Sequence, residues 1–113
     1  MKDENIQDKL GKLVCYLKEM NLPVKYRGSF EKVSLPFIIY YENEQIPFYA
    51  DNKVYYTLPE FVILLCTKNK DYIKEEQLEN IFEKYNINYI KEETYLDDEQ
   101  IFQIEYYINL GGI

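Results

Sequence analysis

Phe61-Val62-Ile63-Leu64-Leu65-Cys66, introduced by Pro59 and cut off by Lys68-Asn69-Lys70-Asp71, decides the fold of this 113-residue chain. Six apolar residues in succession do not alternate, so both faces of the element are covered. That marks a strand at the centre of a sheet rather than one with a wet side. Truncating Leu64 to Ala there should cost about 2–5 kcal/mol. At six residues the run is also far short of the roughly 20 needed to cross a bilayer.

Upstream, the chain reads as β from Val24 to Lys68. A modest strand signal covers Val24 to Phe30. Pro36 precedes Phe37-Ile38-Ile39-Tyr40-Tyr41, a run of β-branched and aromatic residues that favours a pleated, half-buried surface. Glu42-Asn43-Glu44-Gln45 is a polar turn before Ile46 to Tyr49, and Asp51-Asn52-Lys53 is a second turn before Val54-Tyr55-Tyr56-Thr57. The N-terminal stretch Asn5 to Met20 predicts a helix, with Ile6, Leu10, Leu13, Val14 and Leu17 on one face. Asp3 or Asn5 can cap it, and Asn21 with Pro23 stops it. Gly11 costs that helix about 1 kcal/mol against Ala, which suggests a close approach to a neighbour.

Downstream, Ile73 to Tyr85 predicts a second helix with Leu78, Ile81, Phe82 and Tyr85 as its apolar stripe. Glu75 and Glu76 suit the positive end of its dipole, and Asn86 suits its C-terminal stop. A hairpin closes the chain: Asn88 to Tyr95, a turn near Asp97-Asp98, then Gln100 to Asn109. In its second strand Phe102, Ile104, Tyr106 and Ile108 alternate with Gln103, Glu105 and Tyr107, as in a half-buried strand. The expected class is therefore α+β: two helices packed on an antiparallel or mixed β-sheet, in the order helix, β-meander, helix, β-hairpin. Residues 1–113 form one domain in this reading, with no linker, repeat or low-complexity tract.

Composition removes much of the chemistry a chain of this size could perform. There is no His, hence no imidazole base, ligand or catalytic pair. No Trp and a single Arg, Arg27, leave few of the usual phosphate clamps. Twenty acids against thirteen bases give −7, the wrong sign for gripping a nucleic acid backbone. The thirteen tyrosines therefore lack the basic groove that base stacking requires. Cys15 and Cys66 form no CxxC pair and read as two buried, reduced thiols. Glu92-Glu93 with Asp97-Asp98-Glu99 lacks the loop spacing of a Ca²⁺ site and the apolar pocket of an acid catalyst. No enzyme activity, cofactor or metal is expected. The charged N-terminus has no signal-peptide core, so folding in a cytoplasm is expected. Gly111-Gly112 reads as a frayed end. Abundant Ile, Asn, Lys and Tyr with one Ala reflect AT-rich codons, as in a low-GC bacterium or its viruses.

Adjacent tyrosines on a strand point to opposite faces, so pairs such as Tyr55-Tyr56 put one ring outward, where it suits a protein interface. Ile46, Phe48, Tyr49, Tyr55 and Tyr56 are accordingly the expected subunit-contact residues. Asp97, Asp98 and Glu99, too charged for an interface core, are expected in solvent.

Pro36-Phe37-Ile38-Ile39-Tyr40-Tyr41, Phe48-Tyr49-Ala50-Asp51-Asn52-Lys53-Val54-Tyr55, the acidic helix Tyr72 to Tyr85 and Tyr95…Phe102-Gln103-Ile104 resemble small proteins of the head–tail gene clusters of tailed phages. Their arrangement is similar to that of the tail terminator or tail completion family. The resemblance covers about two thirds of the chain, from Leu35 to Ile108, and its motif is structural. It implies a non-enzymatic virion protein that forms a hexameric ring, ends the tail tube and joins it to the head connector. DNA would pass through without specific binding, and no membrane would be involved. Six chains at −7 each would carry −42, a wall that repels the DNA backbone over about 8 Å at physiological salt. An acidic inhibitor or immunity-type protein mimicking DNA is the alternative, motivated by the acids from Glu92 to Glu99.

Overall fold

The computed structural model describes residues 6–28, 34–43, 46–50, 53–58 and 60–110, with the backbone alone at Ile6 and through 46–58. It is α+β, with two helices and a five-stranded mixed sheet. Along the chain come α1 (Ile6–Leu17), a 3-10 turn (Lys18–Met20), β1 (Val24–Tyr26), β2 (Phe37–Glu42), β3 (Ile46–Ala50), β4 (Lys53–Leu58) and β5 (Glu60–Thr67). They are followed by α2 (Tyr72–Lys84), β6 (Tyr89–Leu96) and β7 (Ile101–Asn109). The main sheet has the order β1-β2-β5-β7-β6.

β5 occupies the middle of that order, and Phe61 through Thr67 are all buried. Its two faces feed two clusters. Phe61, Ile63 and Leu65 pack with Leu13, Leu17 and Met20 of the first helical segment and with Leu78, Ile81 and Phe82 of α2. Val62, Leu64 and Cys66 belong to a second cluster with Phe37, Ile39, Tyr41, Ile101 and Tyr107. The alternation read in β7 holds from Ile104 onward: Ile104, Tyr106 and Ile108 are buried on the helix side, whereas Phe102 is only half-buried and lies outside the core cluster.

The expected meander is corrected by the strand pairing. β2 pairs antiparallel with β5, not with the next strand in the chain. Among the described residues β3 and β4 pair only with each other, as a two-stranded ribbon from Ile46↔Leu58 to Ala50↔Lys53 with a register shift at Phe48/Tyr49. Asn43 closes the neck of that ribbon: its amide donates to Glu60 O at 2.8 Å, and its side-chain nitrogen donates to Glu60 Oε1 at 2.8 Å. β1 is shorter than the sequence suggests and runs parallel to β2, Val24↔Ile38 to Tyr26↔Tyr40. The expected caps Asp3 and Asn5, the turn residues Asp51 and Asn52, and Phe30 lie outside the described residues.

Helix ends follow local chemistry. Asn21 (φ 58°) and Asn86 (φ 57°) adopt the left-handed conformation that Asn tolerates better than most residues. Asn21 N donates back to Lys18 O at 3.0 Å, and Ile87 N donates to Phe82 O at 2.8 Å. Asp71 caps α2, its side chain accepting from Lys74 N at 3.0 Å.

Two expectations about α1 need correcting. Cys15 is exposed and only Cys66 is buried. Cys15 lies two residues from both Leu13 and Leu17, about 200° around the helix, on the far side from the core. Burial pushes the Cys66 thiol up to about 11, so it stays protonated at neutral pH. Gly11 is exposed as well, and a Cβ built there meets nothing within 4 Å. Close packing is therefore not its reason. Gly11→Ala should raise the unfolding free energy by about 1 kcal/mol, read as a higher urea midpoint at unchanged slope.

Candidate interaction surfaces and a charge ladder

The strand registers put the two predicted sites at opposite ends of the sheet. At one end Phe37↔Cys66, Thr67↔Phe102 and Leu96↔Ile101 bring the Asp97–Gln100 turn beside the loop that enters α2. At the other end Glu42↔Phe61 and Glu60↔Asn109 mark the point from which the β3–β4 ribbon departs. Asp97, Asp98 and Glu99 are exposed on their tip, as expected. Ile46, Phe48, Tyr49, Tyr55 and Tyr56 lie on the ribbon strands, but their side chains are outside the described residues. The acidic end is not purely acidic. A cavity of about 260 Å³ beside Leu35 and Pro36 is lined by Lys68, Lys70 and Lys74.

Sequence reasoning missed the buried Glu75, which retains 3% exposure. Its position was readable: it precedes Leu78 by three residues and Phe82 by seven, on the apolar stripe of α2. Lys70 Nζ donates to Glu75 Oε1 at 3.0 Å and lies 2.9 Å from Oε2. Lys91 Nζ approaches the same carboxylate at 2.8 Å and donates to Glu79 Oε2 at 2.7 Å. Glu93 holds Lys70 from the solvent side. The ladder Glu93–Lys70–Glu75–Lys91–Glu79 thus staples the loop before α2, and α2 itself, to edge strand β6.

Tyr106 extends the ladder into the core. Its hydroxyl donates to Glu79 Oε2 at 2.7 Å, and Tyr89 donates to Glu79 Oε1 at 3.2 Å. The rings of Phe82, Tyr89 and Tyr106 meet at centroid distances of 5.3 to 5.4 Å. Burial, then the bond to Glu79, holds the Tyr106 phenol well above its ordinary range. Burial also raises Glu79, but hydrogen bonds from Lys91 and Tyr106 outweigh it and hold the carboxyl below its usual value. Every carboxylate of this ladder is engaged by a cation, which makes it a structural clamp.

The pH dependence follows from the sign of the Glu79 shift. A carboxyl with a lower pKa folded than unfolded contributes stability above its unfolded value and loses it as pH falls through the folded one. Native stability should therefore decline as pH drops below about 4.5. Glu79→Gln should flatten that decline in urea titrations between pH 5 and 3. An unchanged slope would mean that other carboxyls carry the acid limb.

On the helix side, Tyr16 stacks on Tyr85 with centroids 3.6 Å apart and planes 9° from parallel. Tyr85 also donates to Glu19, which pairs with Lys84 at 3.2 Å, tying α1 to α2. On the opposite face Arg27 lies over the Tyr41 ring at 4.2 Å. Among the described residues no group of three or more Cys, Asp or Glu side chains could hold a metal ion. No described helix is long and apolar enough to cross a membrane. Neither protein-family models nor curated proteins match this chain.

Proposed function

We propose that this chain is a non-enzymatic structural protein of a tailed phage or phage-like particle. It forms a ring at the head-proximal end of the tail, ends the tail tube there and joins it to the head connector. The observation that carries the reading is the β3–β4 ribbon, which leaves the end of the main sheet and, among the described residues, shares no ladder with it. A two-stranded ribbon gains little stability alone and needs a surface to pack on. A neighbouring copy supplies one in a head-to-tail ring. The chain order supports the same reading. A helix, strands, a second helix and a final hairpin come in that order along the chain, which resembles the tail terminator arrangement except that β2, β5 and the ribbon replace a simple meander.

In this reading Ile46, Phe48, Tyr49, Tyr55 and Tyr56 anchor the next subunit, six copies close the ring, and Asp97, Asp98 and Glu99 face the DNA path at the other end. Tyr49→Ala with Tyr55→Ala should abolish rings in electron micrographs while the far-ultraviolet circular dichroism of the chain persists. Asp97→Lys with Asp98→Lys should leave rings intact and slow DNA exit. Normal rings from the tyrosine variant would place the subunit contact elsewhere.

A further inference from the structure

The sheet face turned away from the helices carries an apolar cluster of its own. Its cluster draws on β2, β5, β7 and Leu35, and no residue of either helix contributes to it. Phe37, Ile39, Tyr41, Ile101 and Tyr107 on this face are half-buried. Its two sides differ in charge. At the β1 side stands the exposed Arg27, over Tyr41. At the other side Glu92 and Glu105 sit directly opposite each other across β6 and β7. Glu105 is level with Leu64, which places both carboxylates on this same face.

Among the described residues, neither Arg27 nor the Glu92–Glu105 pair is neutralised. Like charges directly opposite on a sheet are destabilising, and the hydrogen bonds to Glu105 from Thr94 (2.6 Å) and Tyr107 (2.7 Å) bring no positive charge. Among the described residues Arg27 has no carboxylate partner, and Glu92 and Glu105 have no cation. The sheet order makes these two deficits complementary. β5 is third of five, so a two-fold axis along the strands lays β5 over β5, β2 over β7 and β1 over β6 of a second copy.

We infer that two copies of this chain pair face to face through this surface. They form a sandwich in which Arg27 of each copy meets the Glu92–Glu105 pair of the other. Tyr41 then packs against the second copy's Tyr107 across the roughly 10 Å between packed sheets. Arg27 is level with Tyr41 and Ile90, one two-residue step of about 7 Å from Glu92 along the strand. A long Arg side chain spans that step. Four strand gaps and eight residues make a face of about 19 by 26 Å, small for a permanent interface and fitting a reversible dimer. This pairing uses a surface other than the ribbon, so it stands or falls apart from ring formation.

Sedimentation equilibrium on the full chain tests it, with the folded state checked by circular dichroism. Arg27→Glu should halve the mass of whatever species the native chain forms, weakening association by at least about tenfold. Glu92→Arg should also weaken self-association. It should at the same time raise the urea midpoint of the monomer, because it removes the repulsion with Glu105. That opposite pair of shifts is not what a merely damaged fold would give. The double exchange Arg27→Glu with Glu92→Arg should restore the native mass. A mass indifferent to Arg27→Glu, a native chain without paired species, or an exchange that fails to restore pairing would overturn the inference. Ring closure is read separately, from whether the mass is a multiple of six.

Discussion

Leu65→Ala should lower the unfolding free energy by about 3–5 kcal/mol, more than the same truncation at the neighbouring Leu64. Leu65 has no exposure and sits between Ile38 on β2 and Ile104 on β7, beneath both helices. Neighbours fixed on all sides cannot collapse into the space, so a cavity cost adds to the lost transfer energy. Leu64, one residue away, faces the other cluster and keeps 9% exposure. Its truncation should fall near 2 kcal/mol, at the low end of the same range. Chemical denaturation of the two variants side by side is the check. Equal losses would mean that both faces of β5 are equally enclosed and that the helix-covered side is not the principal core.

Glu75→Ala should cost about 2–3 kcal/mol. It removes the carboxylate shared by Lys70 and Lys91, leaving the first with Glu93 and the second with Glu79. Breaking a fully buried pair typically costs about 3–5 kcal/mol. Here the lysine side chains keep 26% and 35% exposure, so water recovers part of the loss. Glu75→Gln should cost less, because an amide oxygen still accepts from both ammonium groups. If Glu75→Leu proves neutral or stabilising, the clamp contributes specificity of packing and no net stability.

The parts of the fold legible in the sequence were those written in one segment's own pattern. The unbroken Phe61-to-Cys66 run named the central strand, and the alternation of Ile104, Tyr106 and Ile108 named the inner face of β7. Asn21 and Asn86 marked helix ends that the left-handed backbone confirms. What stayed hidden was information about partners. Periodicity states that Val24 to Tyr26 can be a strand, but not that it runs parallel to β2. Nothing in the ribbon's sequence says that it leaves the main sheet, because a strand's pattern encodes which face it buries and not which edge it joins. Glu75 was read as a dipole partner since charges are assumed wet, although its place on the Leu78 and Phe82 stripe argued for burial. Of the candidate site, the exposure of Asp97, Asp98 and Glu99 was legible. The opposition of Glu92 and Glu105 required the register.

Native mass spectrometry of the purified full chain, beside electron micrographs of the same sample, tests the ring most directly. Closed rings with masses in multiples of six 13.7 kDa chains are the expected result, and Tyr49→Ala with Tyr55→Ala should remove them. Monomers or simple dimers at every concentration, with no closed ring and tight binding to a basic partner protein, would contradict the ring and favour an acidic inhibitor.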